Sequence, residues 1–226
     1  EDFTRFAAAY RAAWAGTPAG DPIIDDFVAL ARRLDFDPAW TDAFLVSMAA
    51  DLSTRFYRTE EETLRYIYGS AEVIGLFMAR IMRLPEESWH AARRLGRAMQ
   101  YINFIRDVAE DAAMGRRYLP LERGGTRLLD VPDEWRPDRT WAEANPGVWV
   151  AFLQEHLKRY AAWQAEAEAG YRFIPRRPRT AVRTAGDMYN WTARQIARDP
   201  LRVFVCKIKP ARPRILLQAL CNALWG

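Results

Sequence analysis

The stretch Gln100-Tyr-Ile-Asn103-Phe-Ile-Arg106-Asp107-Val-Ala-Glu110-Asp111-Ala-Ala-Met-Gly115-Arg116-Arg117-Tyr118-Leu119-Pro120 decides how this chain is read. It carries no proline before its last residue, and Gly115 is a natural helix stop. The pattern predicts one helix from Glu86 to about Ala113. At about 100° per residue, Gln100, Asn103, Asp107 and Asp111 fall within an arc of roughly 80°. The residues between them are mostly apolar: Ile102, Phe104, Ile105, Val108 and Ala109. A solvated salt-bridge face would set basic residues four positions from the acids. Here two like charges stack one turn apart, which costs stability unless a cation sits between them. Two carboxylates and an amide oxygen are hard donors that suit Mg²⁺, with Mn²⁺ as a substitute; Mg²⁺ keeps several waters and bridges carboxylates to phosphates. Arg116, Arg117 and Tyr118 follow, placed to hold diphosphate oxygens. An acid pair at this spacing alone is weak, because an exposed face with chance acids reads the same way. The polar register joined to a Gly-Arg-x-Tyr-Leu-Pro exit is far more specific.

Outward from this segment, the chain reads as helix after helix. Phe3, Phe6, Ala7, Tyr10 and Trp14 recur at helical spacing. A second helix runs from Asp21 to about Leu34. A third opens on Asp37-Pro38 and reaches about Arg55, its proline at the first helical position. Thr59 to Glu62 reads as a capping box opening a helix through about Met82. Residues 120–147, rich in Pro, Gly, Asp and Trp, read as a long surface loop with short helical turns. Helices resume at about 147–169, 178–198 and 211–224. The expectation is a single all-α domain over residues 1–226.

The bulk composition is that of a globular protein, with 226 residues, 50% hydrophobic and 27% charged, and a net charge of +4. No apolar run is long enough to cross a membrane, and the charged first residues do not read as a signal peptide. Cys206 and Cys221 form no metal or disulfide pattern and read as two buried thiols of a cytosolic protein. The arginines are scattered without a basic stripe, which argues against nucleic acid as a partner. His90 and His156 read as ordinary helix residues.

The segment 100–120 resembles the second aspartate-rich signature of the squalene/phytoene synthase family. Tyr66-Ile-Tyr-Gly-Ser-Ala-Glu-Val-Ile-Gly75 is similar to the family helix along the substrate tunnel. Tyr171–Pro175 and Met188-Tyr189-Asn190-Trp191 resemble its C-terminal signature. The resemblance covers roughly residues 3–220 and is strongest to phytoene synthases of archaeal or actinobacterial type. It implies an isoprenoid synthase helical bundle that joins two prenyl diphosphates head to head. One diphosphate leaves with metal assistance, the second molecule's double bond attacks the allylic cation, and a cyclopropyl intermediate rearranges. Two geranylgeranyl diphosphates giving phytoene is the first reading, in carotenoid biosynthesis. A squalene or dehydrosqualene synthase using farnesyl diphosphate is the nearest alternative, and a non-catalytic assembly protein the alternative of another class.

The resemblance implies that Asn103, Asp107 and Asp111 hold the metal. It places Gln100 in the same pocket and has Arg106, Arg116 and Tyr118 support the diphosphate, with Tyr189 and Lys207 near it. Tyr66, Ser70, Ile74 and Met78 recur every four residues, and such a stripe alone reads as plain core packing. The family lines a tunnel with it and with Ala71, and sets Tyr66 closest to the reacting carbons, where an aromatic face attracts a cation. A lipid diphosphate and an oily product imply peripheral contact of a cytoplasmic protein with a membrane. The last helix, from Ile215 to Leu224, could serve for that, but core packing is the expected role.

The family's first aspartate-rich motif lies upstream of the region resembling residues 3–14. The expectation is therefore that this chain lacks it, that the chain alone is inactive, and that its uncovered apolar surface favours self-association. Asp21-Pro-Ile-Ile-Asp25-Asp26 imitates that motif, but its acids sit where a helix start wants them.

Overall fold

The computed structural model describes residues 2–225. Helix α1 (Asp2–Trp14) and α2 (Pro22–Arg33) pair at one end, followed by α3 (Pro38–Ser53). Asp21 and Asp37 cap α2 and α3 through Ile23 N and Ala39 N, both at 2.9 Å. Asp25 accepts from the amides of Ala19 and Gly20, so this acidic group shapes a helix start. The capping box at Thr59 forms as the sequence predicts, and α4 (Glu60–Ile67) opens from it. It runs through a π-helical turn, Tyr68–Glu72, into α5 (Val73–Ile81).

Next come α6 (Trp89–Arg106), α7 (Val108–Ala113), α8 (Arg139–Ala144), α9 (Pro146–Glu168), α10 (Arg176–Arg198) and α11 (Arg212–Trp225). The predicted long helix is thus divided at Asp107, whose φ of −95° and ψ of 15° leave the helical region for one residue. The axial bonds continue across the break, since Asp107 N reaches Asn103 O and Asp111 N reaches Asp107 O. The main core lies between α6 and α9, where Tyr101, Ile102, Ile105, Trp149, Phe152 and Trp163 are buried.

The π turn is the second departure from a regular pattern. A wide turn inserts one residue and rotates everything after it. Two glycines let neighbours grip it. A Cβ on Gly69 would stand 2.1 Å from Ala43 O on α3, and one on Gly96 of α6 would stand 2.3 Å from Ala71 O. Backbone cannot retreat as a flexible side chain can. Gly96→Ala is therefore expected to cost about 1–3 kcal/mol in urea unfolding, and to disturb the wall holding Ala71.

Residues 114–138 are less loop-like than their composition implies. A short antiparallel hairpin pairs Glu122–Arg123 with Thr126–Arg127, and Leu121 and Leu129 are buried. Arg117 corrects the sequence reading. Its side chain is buried and donates to the carbonyls of Leu119, Asp133, Trp135 and Tyr57. It ties the loop to the core and offers no donor to a diphosphate. The thiols are a second correction, because Cys206 and Cys221 are both exposed. Cys206 points outward between the buried Val203 and Ile208, and Cys221 lies on α11, which packs against the rest of the chain through its polar side. Its leucines face outward, against the expectation of core packing.

Candidate active site

The predicted metal-binding residues, with Arg106 and Lys207, gather at the junction of α6 and α7. Asn103 is partly buried, and its Oδ1 is buried without a hydrogen-bond partner. Asp107 pairs with Arg106, whose Nε stands 2.7 Å from Oδ1, and Lys207 Nζ lies 3.6 Å from the same oxygen. Lys207 also binds Glu110. So Lys207, the most distant residue named for the site, does reach the acidic face.

Asp111 is the most perturbed acid. Burial, then the nearby charge of Asp107, pushes its carboxyl up to about 7, against smaller help from Arg116 and Lys207. The positive charge near this carboxylate does not offset its burial and its acidic neighbour. An orphaned amide oxygen beside two like carboxylates on one face is what a hard divalent cation would satisfy, so these residues fit Mg²⁺. Among the described residues, no cluster of three or more His, Cys, Asp or Glu forms.

A cavity of about 570 Å³ reaches Asn103, and Asp107 and Asp111 lie beyond its lining on the same helical face. Gln100, Asn103 and Tyr189 line one end. Ser70, Ala71, Ile74 and Met78 form one wall, with Ala91, Leu95 and Met99 from α6 opposite. From Ala91 to Asn103 it follows about 18 Å of α6. A mostly apolar cavity with polar groups gathered at one end suits an amphiphile with a charged head and a long tail.

Tyr66 lies elsewhere. The wide turn breaks the four-residue stripe, so Ser70, Ile74 and Met78 line this cavity. Tyr66 borders a separate hollow of about 290 Å³ with Ser47 and Tyr57. Its hydroxyl donates to Asp51 Oδ2 at 2.9 Å, and Tyr118 donates to Asp51 Oδ1 at 2.9 Å. Arg116 reaches Tyr118 Oη at 3.3 Å and Asp51 O at 3.0 Å. Tyr118 stacks on Phe104 with ring centroids 4.4 Å apart. Burial first, then the hydrogen bond and charge of Asp51, push the Tyr118 phenol up to about 12, and burial, then Tyr118 and Asp51, push the Tyr66 phenol well above its ordinary range. Both stay neutral donors.

Asp51 is the residue that sequence reasoning missed. One signal was present: an acid in the last turn of a helix opposes the helix dipole, so it needs a reason to be there. Replacing it tests that reason. Asp51→Asn is expected to lose about 1–3 kcal/mol of stability. It should also lower the titration point of Tyr118, read by phenolate absorbance. An unchanged titration would show that Asp51 does not govern these phenols.

The squalene/phytoene synthase family model matches residues 2–218. The chain belongs to that family. Squalene/phytoene synthase relatives include the phytoene synthase of Pseudescherichia vulneris, 32% identical over 179 residues, covering 79% of this chain and 56% of that protein. The 15-cis-phytoene synthase of Enterobacter agglomerans is 39% identical over 176 residues, covering 75% and 56%. That of Paracoccus sp. is 40% identical over 114 residues, covering 47% and 38%. The chain thus spans about half the length of these relatives or less. A crystal structure of a dehydrosqualene synthase in complex with ligand superposes with a TM-score of 0.74 at 21% identity, covering 99% of this chain and 77% of the other. The helical fold is therefore that of this family, as the sequence predicts.

Proposed function

We propose that this chain is the prenyl diphosphate-binding part of a phytoene synthase that condenses two geranylgeranyl diphosphates. The observation that carries the proposal is the cavity's polarity. Asn103 stands at one end of an apolar channel, with Asp107 and Asp111 following it one and two turns along the same helical face, and three of the relatives named above are phytoene synthases.

Asn103, Asp107 and Asp111 would hold Mg²⁺, with Mn²⁺ as a substitute, and the metal supplies charge neutralisation for a leaving diphosphate. Lys207 and Arg106 balance Asp107 and present cationic groups at the same face. Gln100 and Tyr189 border the head-group end, while Ser70, Ala71, Ile74 and Met78 shelter the tail. Asp51 accepts from the phenols of Tyr66 and Tyr118 and ties them together beside, not within, the cavity. The balance closes when each of the two substrates gives up its diphosphate, the two chains are joined by carbon–carbon bond formation, and one proton is lost after each ionisation.

Two carboxylates and one amide supply few protein donors. The proposal therefore includes a further acidic motif ahead of α1 that faces Asp107 and Asp111, without which the chain is inactive. Detection of a condensation product from these 226 residues with Mg²⁺ would refute that part. Contact with a lipid surface belongs to the same reading, because substrate and product are both oily. Among the described residues no helix is long and apolar enough to cross a membrane.

Binding of non-ionisable thiodiphosphate analogues tests the assignment. The C20 analogue should raise the melting temperature only when Mg²⁺ is present, and more than the C15 analogue does. Equal or stronger stabilisation by C15 would favour the squalene-type reading. No Mg²⁺-dependent shift from either would end both.

A further inference from the structure

The last helix is built inside out. Leu216, Leu217, Leu220 and Leu224 share one arc of about 100° on α11 and are 70%, 64%, 56% and 65% exposed. The polar residues face the protein instead. Gln218 donates to Asp187 at 2.8 Å, and Asn222 donates to Asp187 at 2.7 Å and to Thr184 at 3.1 Å. Arg176 ties α10 to the carbonyl of Ala223 at 3.3 Å. These bonds fix the rotation of α11, so the leucines cannot turn inward without orphaning Asn222.

Charge surrounds this face. From Pro200 to the last residue the chain carries Arg202, Lys207, Lys209, Arg212 and Arg214 and no acid. Lys207 is engaged by Glu110 and Asp107, and Arg214 lies over the ring of Trp191. Lys209 and Arg212 are exposed. A leucine stripe with cations beside it and no acid in its own segment, Asp187 being engaged on the inner side, is the composition of a helix that lies in a lipid interface.

We infer that the outward face of α11 docks on an anionic lipid leaflet, with Leu216, Leu217, Leu220 and Leu224 entering the acyl boundary and Lys209 and Arg212 meeting head groups. The site lies one helix from the cavity. Ala181, Ala185 and Tyr189 of α10 line both the cavity and the groove that α10 forms with Ile215 and Ala219. An oily chain leaving the cavity would have a short path to the bilayer.

Vesicle flotation of the full chain tests this without substrate or metal, so its outcome is independent of the prenyl reading. Vesicles of phosphatidylcholine alone are compared with vesicles containing phosphatidylglycerol. The chain should bind the anionic vesicles and release at high salt. A variant carrying Leu216→Ser, Leu217→Ser, Leu220→Ser and Leu224→Ser should bind on the order of a hundredfold more weakly. Its melting temperature should be unchanged, since these side chains are already exposed. Lys209→Glu with Arg212→Glu should lose the preference for anionic lipid, and decides the matter if the serine variant does not fold. Parent binding that either variant reproduces would overturn the inference. So would a dimer in solution that the serine variant dissolves, because the face would then belong to a second copy.

Discussion

Asp111→Asn is expected to remove almost all of the stabilisation that Mg²⁺ with inorganic pyrophosphate gives the parent chain. At a ligand concentration a hundredfold above Kd, the parent should gain about 2.7 kcal/mol by mass action. Weakening the site by about a hundredfold leaves about 0.4 kcal/mol. The same variant should behave oppositely without metal. The Asp111 carboxyl sits at about 7 in the folded chain, against an ordinary value of 3.8. Between those values the unfolded chain has released the proton and the folded chain retains it, so stability falls as pH rises from about 4 to about 7, then levels off. Above that window the buried charge costs up to about 4 kcal/mol. Asparagine carries no such charge. In a chelator, Asp111→Asn should match the parent below about pH 4 and be the more stable protein at pH 8. Metal reverses the ranking, because a bound cation compensates the carboxylate and expels its proton. Melting curves across this pH range, with chelator and with Mg²⁺ plus pyrophosphate, test both halves. A parent-minus-variant difference that does not vary with pH, or an undiminished metal response in the variant, would remove Asp111 from the metal site.

What the sequence disclosed, and what it hid, divides along a physical line. Helix starts at Asp21, Asp37 and Thr59 were legible because a cap acts on the amides of its own first turn. The face that unites Asn103, Asp107 and Asp111 was legible because helical spacing alone brings them together. Asp51 was not, since its partners Tyr66 and Tyr118 lie 15 and 67 positions away. Arg117 looked like its neighbour Arg116, and only tertiary packing turned one inward. The wide turn has no local signature either. It exists because Gly69 and Gly96 admit other backbones and because a buried charge holds it from below. The outward leucines of α11 escaped for a related reason. Period fixes which residues share a face, and only the polar grip of Asp187 fixes where that face points.

That buried charge carries the other large expectation. Glu72 closes the π turn, and its side chain is 0% exposed. Arg93 Nε stands 2.9 Å from Oε2 and Arg97 Nε 2.6 Å from Oε1. Arg97 is itself mostly buried, over the ring of Trp163, and burial pulls its guanidinium below the ordinary value while Glu72 draws it back. Neither charge would be tolerable there alone. Glu72→Gln keeps the shape and removes the charge, leaving Arg97 without compensation, and is expected to cost about 3–5 kcal/mol in urea unfolding. Replacing Glu72, Arg93 and Arg97 together by leucine and methionine of similar volume should recover most of that loss, because the cost lies in an unpaired buried charge and not in missing contacts. A loss below about 1 kcal/mol in Glu72→Gln would show the network to be solvated and incidental. The consequence reaches the cavity, because Ser70 and Ala71 stand on the same wide turn. If Glu72 holds that turn, the triple variant should keep its stability yet bind the C20 thiodiphosphate more weakly than the parent. An apolar filling restores the energy of the core without restoring the ion pairs that fix the wall.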